Sequence, residues 1–194
     1  ALFASSVAVL AALEAASGKP VSALTDFVAG HSLGEYSALA AAGTLEIQDA
    51  AHLLRLRGDS MQKAVPVGAG AMAALLGADL ELADAIVAES SDAGLVQIAN
   101  DNAPGQIVVS GSLAGVEKAM AVAKEKGVRR ALKLPVSAPF HCDLMAPAAQ
   151  EMAAALATAS MKDAAMPVIC NISASGETSA SALRQNLVAQ VTGR

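Results

Sequence analysis

Aromatic side chains are scarce in this sequence, whose 194 residues include no Trp, one Tyr and three Phe. A hydrophobic core must therefore be built from Ala, Val, Leu, Ile and Met, and a binding pocket has few rings on which bases or sugars can stack. Proteins bind single-stranded nucleic acids largely by stacking and duplexes by neutralising phosphates. The aromatic content of 2% and the net charge of −5 therefore argue against nucleic acid as a partner.

Cysteine is equally rare. Cys142 and Cys170 form neither a C-x-x-C pair nor a disulfide framework. Unpaired structural thiols are typical of proteins from reducing compartments, so we expect a cytoplasmic location.

The sequence also lacks a long uninterrupted apolar segment. Residues 2–16 are apolar but short, Glu14 interrupts them, and the first cation is Lys19. A secretory signal needs a basic region before its apolar run, and a membrane span needs about 20 apolar residues. We therefore expect an amphipathic or buried helix and no membrane partner, and we expect no metal ion or bound cofactor.

The most informative stretch is Gly30-x-Ser32-x-Gly34. This is the pattern of the nucleophile elbow, a sharp turn between a strand and a helix that exposes a serine hydroxyl. A strand is predicted over residues 26–29 and a helix over 33–42. Ser32 is therefore the candidate nucleophile, and the Leu33 backbone N–H a candidate donor to an oxyanion. A helix-capping serine is the alternative.

Three histidines are candidates for the base that a serine nucleophile needs. His52 falls on the polar face of a predicted helix, and the side chain of His31 should point away from its neighbour Ser32. His141 follows a proline-rich loop and is the favoured base. Asp101 is the only loop acid that is a candidate third member of a catalytic triad. Its Asn neighbours suggest a turn instead, so we expect a neutral oxygen to orient the histidine.

A cation occupies the apolar face of the helix predicted over residues 47–64. Steps of three and four residues from Leu53 and Leu54 reach Arg57. The planar guanidinium fits a carboxylate, so an inward arginine near a nucleophilic serine suggests an acyl group that carries a free carboxylate. A structural ion pair with an internal acid is the alternative.

Five of the thirteen cations fall within ten residues. This cationic cluster is either a solvated face or a dock for an acidic partner or a nucleotide phosphate. Its members are Lys124, Lys126, Arg129, Arg130 and Lys133.

The middle of the chain predicts the order β-α-β-β-α-β, which is the ferredoxin-like unit. We expect this subdomain at residues 67–133, inserted into a larger α/β subdomain with a hydrolase-like parallel sheet formed by residues 1–66 and 134–194. Continuation of a single parallel sheet is the alternative. The predicted segments are strands at 69–76, 95–100, 106–110 and 128–134, and helices at 80–89 and 114–126.

Taken in register, several motifs resemble the malonyl-CoA:acyl carrier protein transacylase family. The likeness covers essentially the whole chain. Its motifs are Gly30-His31-Ser32-Leu33-Gly34-Glu35-Tyr36, Arg57-Gly58-x-x-Met61-Gln62, Asn102-x-Pro104-Gly105-Gln106-x-Val108-x-Ser110-Gly111 and Pro139-Phe140-His141-Cys142.

The resemblance implies a site in which Ser32 carries the malonyl ester, His141 acts as base and then acid, Leu33 donates to the oxyanion and Arg57 pairs with the malonyl carboxylate. Met61, Asn102 and Phe140 would line the substrate site, and Phe140 favours malonyl over methylmalonyl.

The implied reaction belongs to fatty-acid biosynthesis. It takes coenzyme A thioester as substrate, acyl carrier protein as partner and no cofactor. The family's Gly-Gln-Gly-x-x-Gln-like segment and Gly-Pro-Gly turn are absent here, so we expect a central fragment. A serine hydrolase or thioesterase with the same elbow, or a non-catalytic fragment, are the alternatives.

Overall fold

The computed structural model describes residues 1–194 and contains seven α-helices and seven strands. In chain order these are α1 (Leu2–Ser17), β1 (Val28–Ala29), α2 (Gly34–Ala41), α3 (Ile47–Ala64), β2 (Gly70–Leu76), α4 (Leu80–Ser90), β3 (Val96–Ala103), β4 (Gln106–Ser112), α5 (Leu113–Glu125), β5 (Arg130–Lys133), α6 (Ala146–Thr158), β6 (Val168–Ile169), β7 (Gly176–Glu177) and α7 (Ala180–Ala189).

The chain divides into two compact units. The first unit comprises residues 1–58 and 151–190, and the second comprises residues 59–150 and 191–194. Helices α3 and α6 therefore each contribute residues to both units. The predicted subdomain limits at residues 67 and 133 lie inside the second unit and stay a prediction.

The first unit contains a small mixed sheet in the order β1-β6-β7. Strand β1 pairs with β6 in parallel, whereas β7 pairs with β6 in antiparallel orientation. Strand β1 is shorter than the predicted strand at 26–29, and the sequence did not predict β7. The parallel pair matters for function, because the chain leaves the carboxyl ends of β1 and β6 side by side.

The second unit confirms the predicted β-α-β-β-α-β order. Its sheet has the strand order β3-β4-β2-β5, and all three pairings are antiparallel. The alternative of one continuous parallel sheet is therefore wrong. Helices α4 and α5 cover this sheet with a core of small aliphatic residues, as the scarcity of aromatics requires; its fully covered members include Leu75, Ile86, Val109, Val116 and Ala119.

Helix α1 differs from expectation. We predicted an amphipathic or buried helix, yet none of its residues is buried, and Leu2, Val9 and Leu13 are exposed. Its apolar residues are spread around the axis because alanine occupies positions on every side. None of the seven helices has both the length and the hydrophobicity needed to cross a membrane.

Candidate active site

The nucleophile elbow has the backbone geometry that its sequence predicts. Ser32 lies between β1 and α2 with a φ of 51°, in the left-handed region that costs a non-glycine residue conformational energy. Gly30 permits the turn, because a Cβ at this position would overlap the Gly34 carbonyl group. A Cβ at Gly34 would meet no other atom. Of the two glycines in the motif, only Gly30 is therefore required for steric reasons.

The first turn of α2 begins directly after the serine. The Gly34 N–H donates to the His31 carbonyl at 2.8 Å and the Glu35 N–H to the Ser32 carbonyl at 3.1 Å. The Leu33 N–H precedes these bonds at the helix N-terminus, where backbone donors lack intrahelical acceptors and the helix dipole favours negative charge. Its role as an oxyanion donor stays a prediction that this position supports.

Asn171 holds both sides of the elbow. The Ser32 N–H donates to Asn171 Oδ1 at 2.5 Å, and Asn171 Nδ2 donates to the Gly30 carbonyl at 2.7 Å. Asn171 follows β6 by two residues, and the parallel pairing of β6 with β1 brings it to the carboxyl end of β1. One side chain therefore stabilises the strained turn on either side of the serine.

A buried carboxylate lies beneath the elbow. Glu35 is fully buried, and its Oε2 accepts from the Asn171 N–H at 3.0 Å and from Gln190 Nε2 at 2.7 Å. Its other oxygen, Oε1, has no hydrogen-bond partner. Burial raises the pKa of Glu35, and the two hydrogen bonds and the charge of Arg57 act in the opposite direction.

Arg57 lies where the helical stripe of α3 predicted it, with only 7% of its surface exposed. Its Nη2 donates to Ser32 Oγ at 3.0 Å and to Gln190 Oε1 at 3.1 Å. Both acceptors are neutral oxygens, and its buried Nε has no hydrogen-bond partner. The guanidinium next to the serine hydroxyl therefore makes no direct ion pair with an internal acid.

The charge of Arg57 is poorly solvated. Burial lowers the pKa of Arg57, whereas Tyr36 and Glu35 act in the opposite direction. A guanidinium nonetheless stays protonated at neutral pH. A desolvated cation with an unused donor favours an anion that can enter the site and accept from it.

His141 lies in the second unit, in the loop between β5 and α6. It is largely buried and has a φ of 57°. Only three non-glycine residues have positive φ, namely Ser32, His141 and Ala174, so the candidate nucleophile and the candidate base share this strain. Pro139 packs where a Cβ at Gly70 would stand, which fixes the loop on the start of β2.

The loop after His141 is tied to β3. The Asp143 N–H donates to Gln97 Oε1 at 2.7 Å, and Gln97 Nε2 donates back to Asp143 Oδ2 at 2.9 Å. Of the other histidines, both His31 and His52 are exposed. His141 as the base stays a prediction.

The three further substrate residues lie in the second unit. Met61 is buried on α3 with 2% of its surface exposed, Phe140 packs against the small core cluster that contains Met72 and Val108, and Asn102 is exposed on β3. The substrate roles of Met61, Phe140 and Asn102 stay predictions.

The turn expected at Asp101 is wrong. Strand β3 continues through this residue, with two irregularities in its pairing to β4.

The cationic cluster is exposed throughout. Two members are paired, since Lys126 Nζ lies 2.8 Å from Glu89 Oε2 and Lys133 Nζ lies 3.4 Å from Glu117 Oε1. Surface pairs of this kind contribute little stability. Lys124, Arg129 and Arg130 form no ion pair within the chain, so their charge remains available to a partner.

Sequence reasoning missed two side chains of this site. Asn171 follows an apolar strand, and Gln190 follows Leu183 and Leu187 at helical spacing on a buried face. A polar residue at a core-facing position is the signal that identified Arg57, and it was available for Gln190 as well. The chain places no group of three or more His, Cys, Asp or Glu side chains where they could hold a metal ion.

Comparison with known proteins adds evidence that is independent of this geometry. Residues 1–192 match the family model described as an acyl transferase domain. A malonyl CoA-acyl carrier protein transacylase from Bacillus subtilis is 47% identical over 192 residues, which cover 98% of this chain and 59% of that protein. One from Escherichia coli K12 is 46% identical over 168 residues, covering 84% of this chain and 53% of that protein.

Solved structures agree with the fold. An acyl-carrier-protein S-malonyltransferase from Bartonella henselae superposes with a TM-score of 0.96 at 51% identity, covering all of this chain and 61% of that one. A malonyl-transacylase in complex with its type II PKS acyl-carrier protein superposes with a TM-score of 0.94 at 41% identity, covering 100% of this chain and 61% of that one. The chain thus spans between 53% and 61% of the length of these relatives.

Proposed function

Since the chain belongs to the acyl transferase domain family, we propose that it transfers a malonyl group from malonyl-CoA to the phosphopantetheine thiol of an acyl carrier protein in fatty-acid synthesis. The observation that carries the proposal is the hydrogen bond from Arg57 Nη2 to Ser32 Oγ at 3.0 Å. It joins a nucleophile to a buried cation that lacks a carboxylate partner, and a malonyl group supplies that carboxylate. The names of the relatives support the same reaction.

In the first half-reaction, the Ser32 hydroxyl loses its proton to His141 and Oγ attacks the thioester carbonyl carbon. The Leu33 N–H, at the positive end of α2, donates to the oxyanion that forms. When the intermediate collapses, the carbon–sulfur bond breaks and His141 returns the proton to the coenzyme A sulfur. The malonyl group is left as an ester on Ser32.

The second half-reaction runs the same steps in reverse with a different thiol. The carrier thiol gives its proton to His141 and attacks the ester, and Ser32 leaves with that proton. One thioester is exchanged for another, so the step needs no cofactor. We place it in the cytoplasm, where the two buried free thiols, Cys142 and Cys170, remain reduced.

A covalent ester on Ser32 is the intermediate that the proposed reaction requires. Incubation of the chain with malonyl-CoA is expected to give a covalent malonyl adduct, which intact-protein mass spectrometry detects and peptide mapping assigns to Ser32. Carrier thiol is then expected to discharge the ester much faster than water does, because Ser32 passes the group to a better nucleophile. An ester on another residue, hydrolysis as fast as transfer, or no adduct would contradict the proposal.

We further propose that the cationic cluster docks the carrier protein by pairing with an acidic patch on the carrier surface. Reversal of one charge, Arg129→Glu or Arg130→Glu, is expected to lower the association rate with the carrier about 3- to 10-fold at low salt. The difference should vanish near 1 M salt, where the screening length falls to about 3 Å. Stopped-flow measurement of malonyl discharge to the carrier at both salt concentrations tests this prediction.

The matched control is Lys19→Glu, which makes the same charge change at an exposed position outside the cluster. It should leave discharge unchanged. If the cluster variants slow loading from malonyl-CoA instead of discharge, the cluster binds the nucleotide phosphates. If neither half-reaction changes, the cluster is a solvated face.

A further inference from the structure

Gln190 occupies an unusual position between two buried charges. It caps the C-terminal end of α7 and has 1% of its surface exposed. Its Nε2 donates to Glu35 Oε2 at 2.7 Å and to the Ser32 carbonyl at 3.2 Å. Its Oε1 accepts from Arg57 Nη2 at 3.1 Å. One amide group thus contacts the buried carboxylate, the buried guanidinium and the backbone of the nucleophile.

The neighbours fix the orientation of this amide. A carboxylate only accepts hydrogen bonds and a guanidinium only donates them, so the amide nitrogen must face Glu35 and the amide oxygen must face Arg57. The opposite orientation would set oxygen against oxygen and nitrogen against nitrogen. Glu35 therefore orients Gln190, and Gln190 in turn holds Nη2 of Arg57 at the serine.

The amide also keeps the two charges apart. A direct ion pair between Glu35 and Arg57 would satisfy the guanidinium internally and compete with any substrate carboxylate. With a neutral amide between them, Glu35 stabilises the cation at a distance while the donors of Arg57 are not consumed by a carboxylate. Nε of Arg57 accordingly has no hydrogen-bond partner.

We propose that the Gln190 side chain is a positioning residue that determines acyl specificity, by orienting Arg57 toward Ser32 and leaving the guanidinium unpaired for the carboxylate of the acyl group. The inference rests on the proposed malonyl transfer. It assigns no bond making or breaking to Gln190. It states that selection of a charged acyl group over a neutral one depends on an amide at this position.

The discriminating variant is Gln190→Glu, which keeps the shape of the side chain. It removes the donor to Glu35 and to the Ser32 carbonyl and sets a carboxylate against Arg57. The measurement is kcat/KM for formation of the Ser32 ester from malonyl-CoA and from acetyl-CoA. We expect the malonyl-to-acetyl ratio to fall about 10-fold or more, because the introduced carboxylate takes the position of the substrate carboxylate. Gln190→Met, which removes the polar atoms, should give an intermediate ratio.

A matched control is available on the same helix. Gln185→Glu makes the same substitution at an exposed position of α7, and its ratio should equal that of the unsubstituted chain. A purely structural role for Gln190 would lower the rates with both acyl groups equally and leave the ratio unchanged.

Two failures are distinguishable. If the unsubstituted chain forms the malonyl ester but Gln190→Glu changes the ratio less than about twofold, the role of Gln190 is overturned and the proposed function stands. If the unsubstituted chain forms no malonyl ester, both the proposed function and this role are overturned.

Discussion

Replacement of Ser32 by alanine is expected to abolish malonyl transfer, with kcat/KM falling by about 10⁴-fold or more. Loss of a catalytic serine from a nucleophile–base pair removes the covalent route altogether, and in a serine protease it costs on the order of 10⁶-fold in kcat. The substitution removes one acceptor of Arg57 but leaves Asn171 and Gln190 on the backbone of the elbow. Intact mass of the chain and of the carrier, followed over time with malonyl-CoA, measures both proposed half-reactions.

The matched control for this variant is Ser37→Ala on α2. Ser37 Oγ is buried without a hydrogen-bond partner, so its removal breaks no bond and should leave transfer unchanged. Circular dichroism and thermal unfolding of both variants show whether the fold is kept. Retention of a malonyl adduct by folded Ser32→Ala would refute the assignment of the nucleophile.

Replacement of Arg57 by alanine should change which acyl group is transferred. Removal of one partner from a buried charge pair costs about 2–5 kcal/mol. The malonyl-to-acetyl ratio of kcat/KM is therefore expected to fall about 100-fold. Most of this loss should appear with malonyl-CoA, because an acetyl group has no carboxylate for the guanidinium to bind. Parallel assays with the two thioesters give the ratio directly.

Arg55→Ala is the control for Arg57→Ala. Arg55 is an exposed cation on the same helix, so this variant removes an equal charge without opening the site, and the ratio should stay constant. The malonyl-to-acetyl ratio of Arg57→Lys should lie between those of Arg55→Ala and Arg57→Ala, since an ammonium group supplies charge without the planar pair of donors. An unchanged ratio in folded Arg57→Ala would mean that the cation stabilises the elbow and does not select the acyl group.

The position of Arg57 was predictable because helical periodicity is a local property. Residues three and four positions apart share a face, and α3 runs over the predicted range without interruption. The same step from Leu183 and Leu187 leads to Gln190. Gln190 lies at the C-terminal end of α7, and its signal was as local as that of Arg57.

The contacts of Asn171 were not predictable in the same way. Its side chain reaches Ser32 across 139 residues of sequence, and only the parallel pairing of two-residue strands brings them together. Strands this short leave almost no periodic pattern, so neither their register nor the residues that follow them can be derived from local sequence. The motif located the serine, and the tertiary structure determined what holds it.

These long-range contacts have a consequence for the order of events during synthesis. The amides that hold Ser32 lie 139 and 158 residues downstream of it. A ribosome adds about 5–20 residues per second, so on the order of 10 s separates translation of the serine from emergence of the groups that set its geometry. The nascent chain therefore displays an unorganised serine during that interval, and the elbow can take its hydrogen-bonded geometry only after Asn171 and Gln190 have been synthesised.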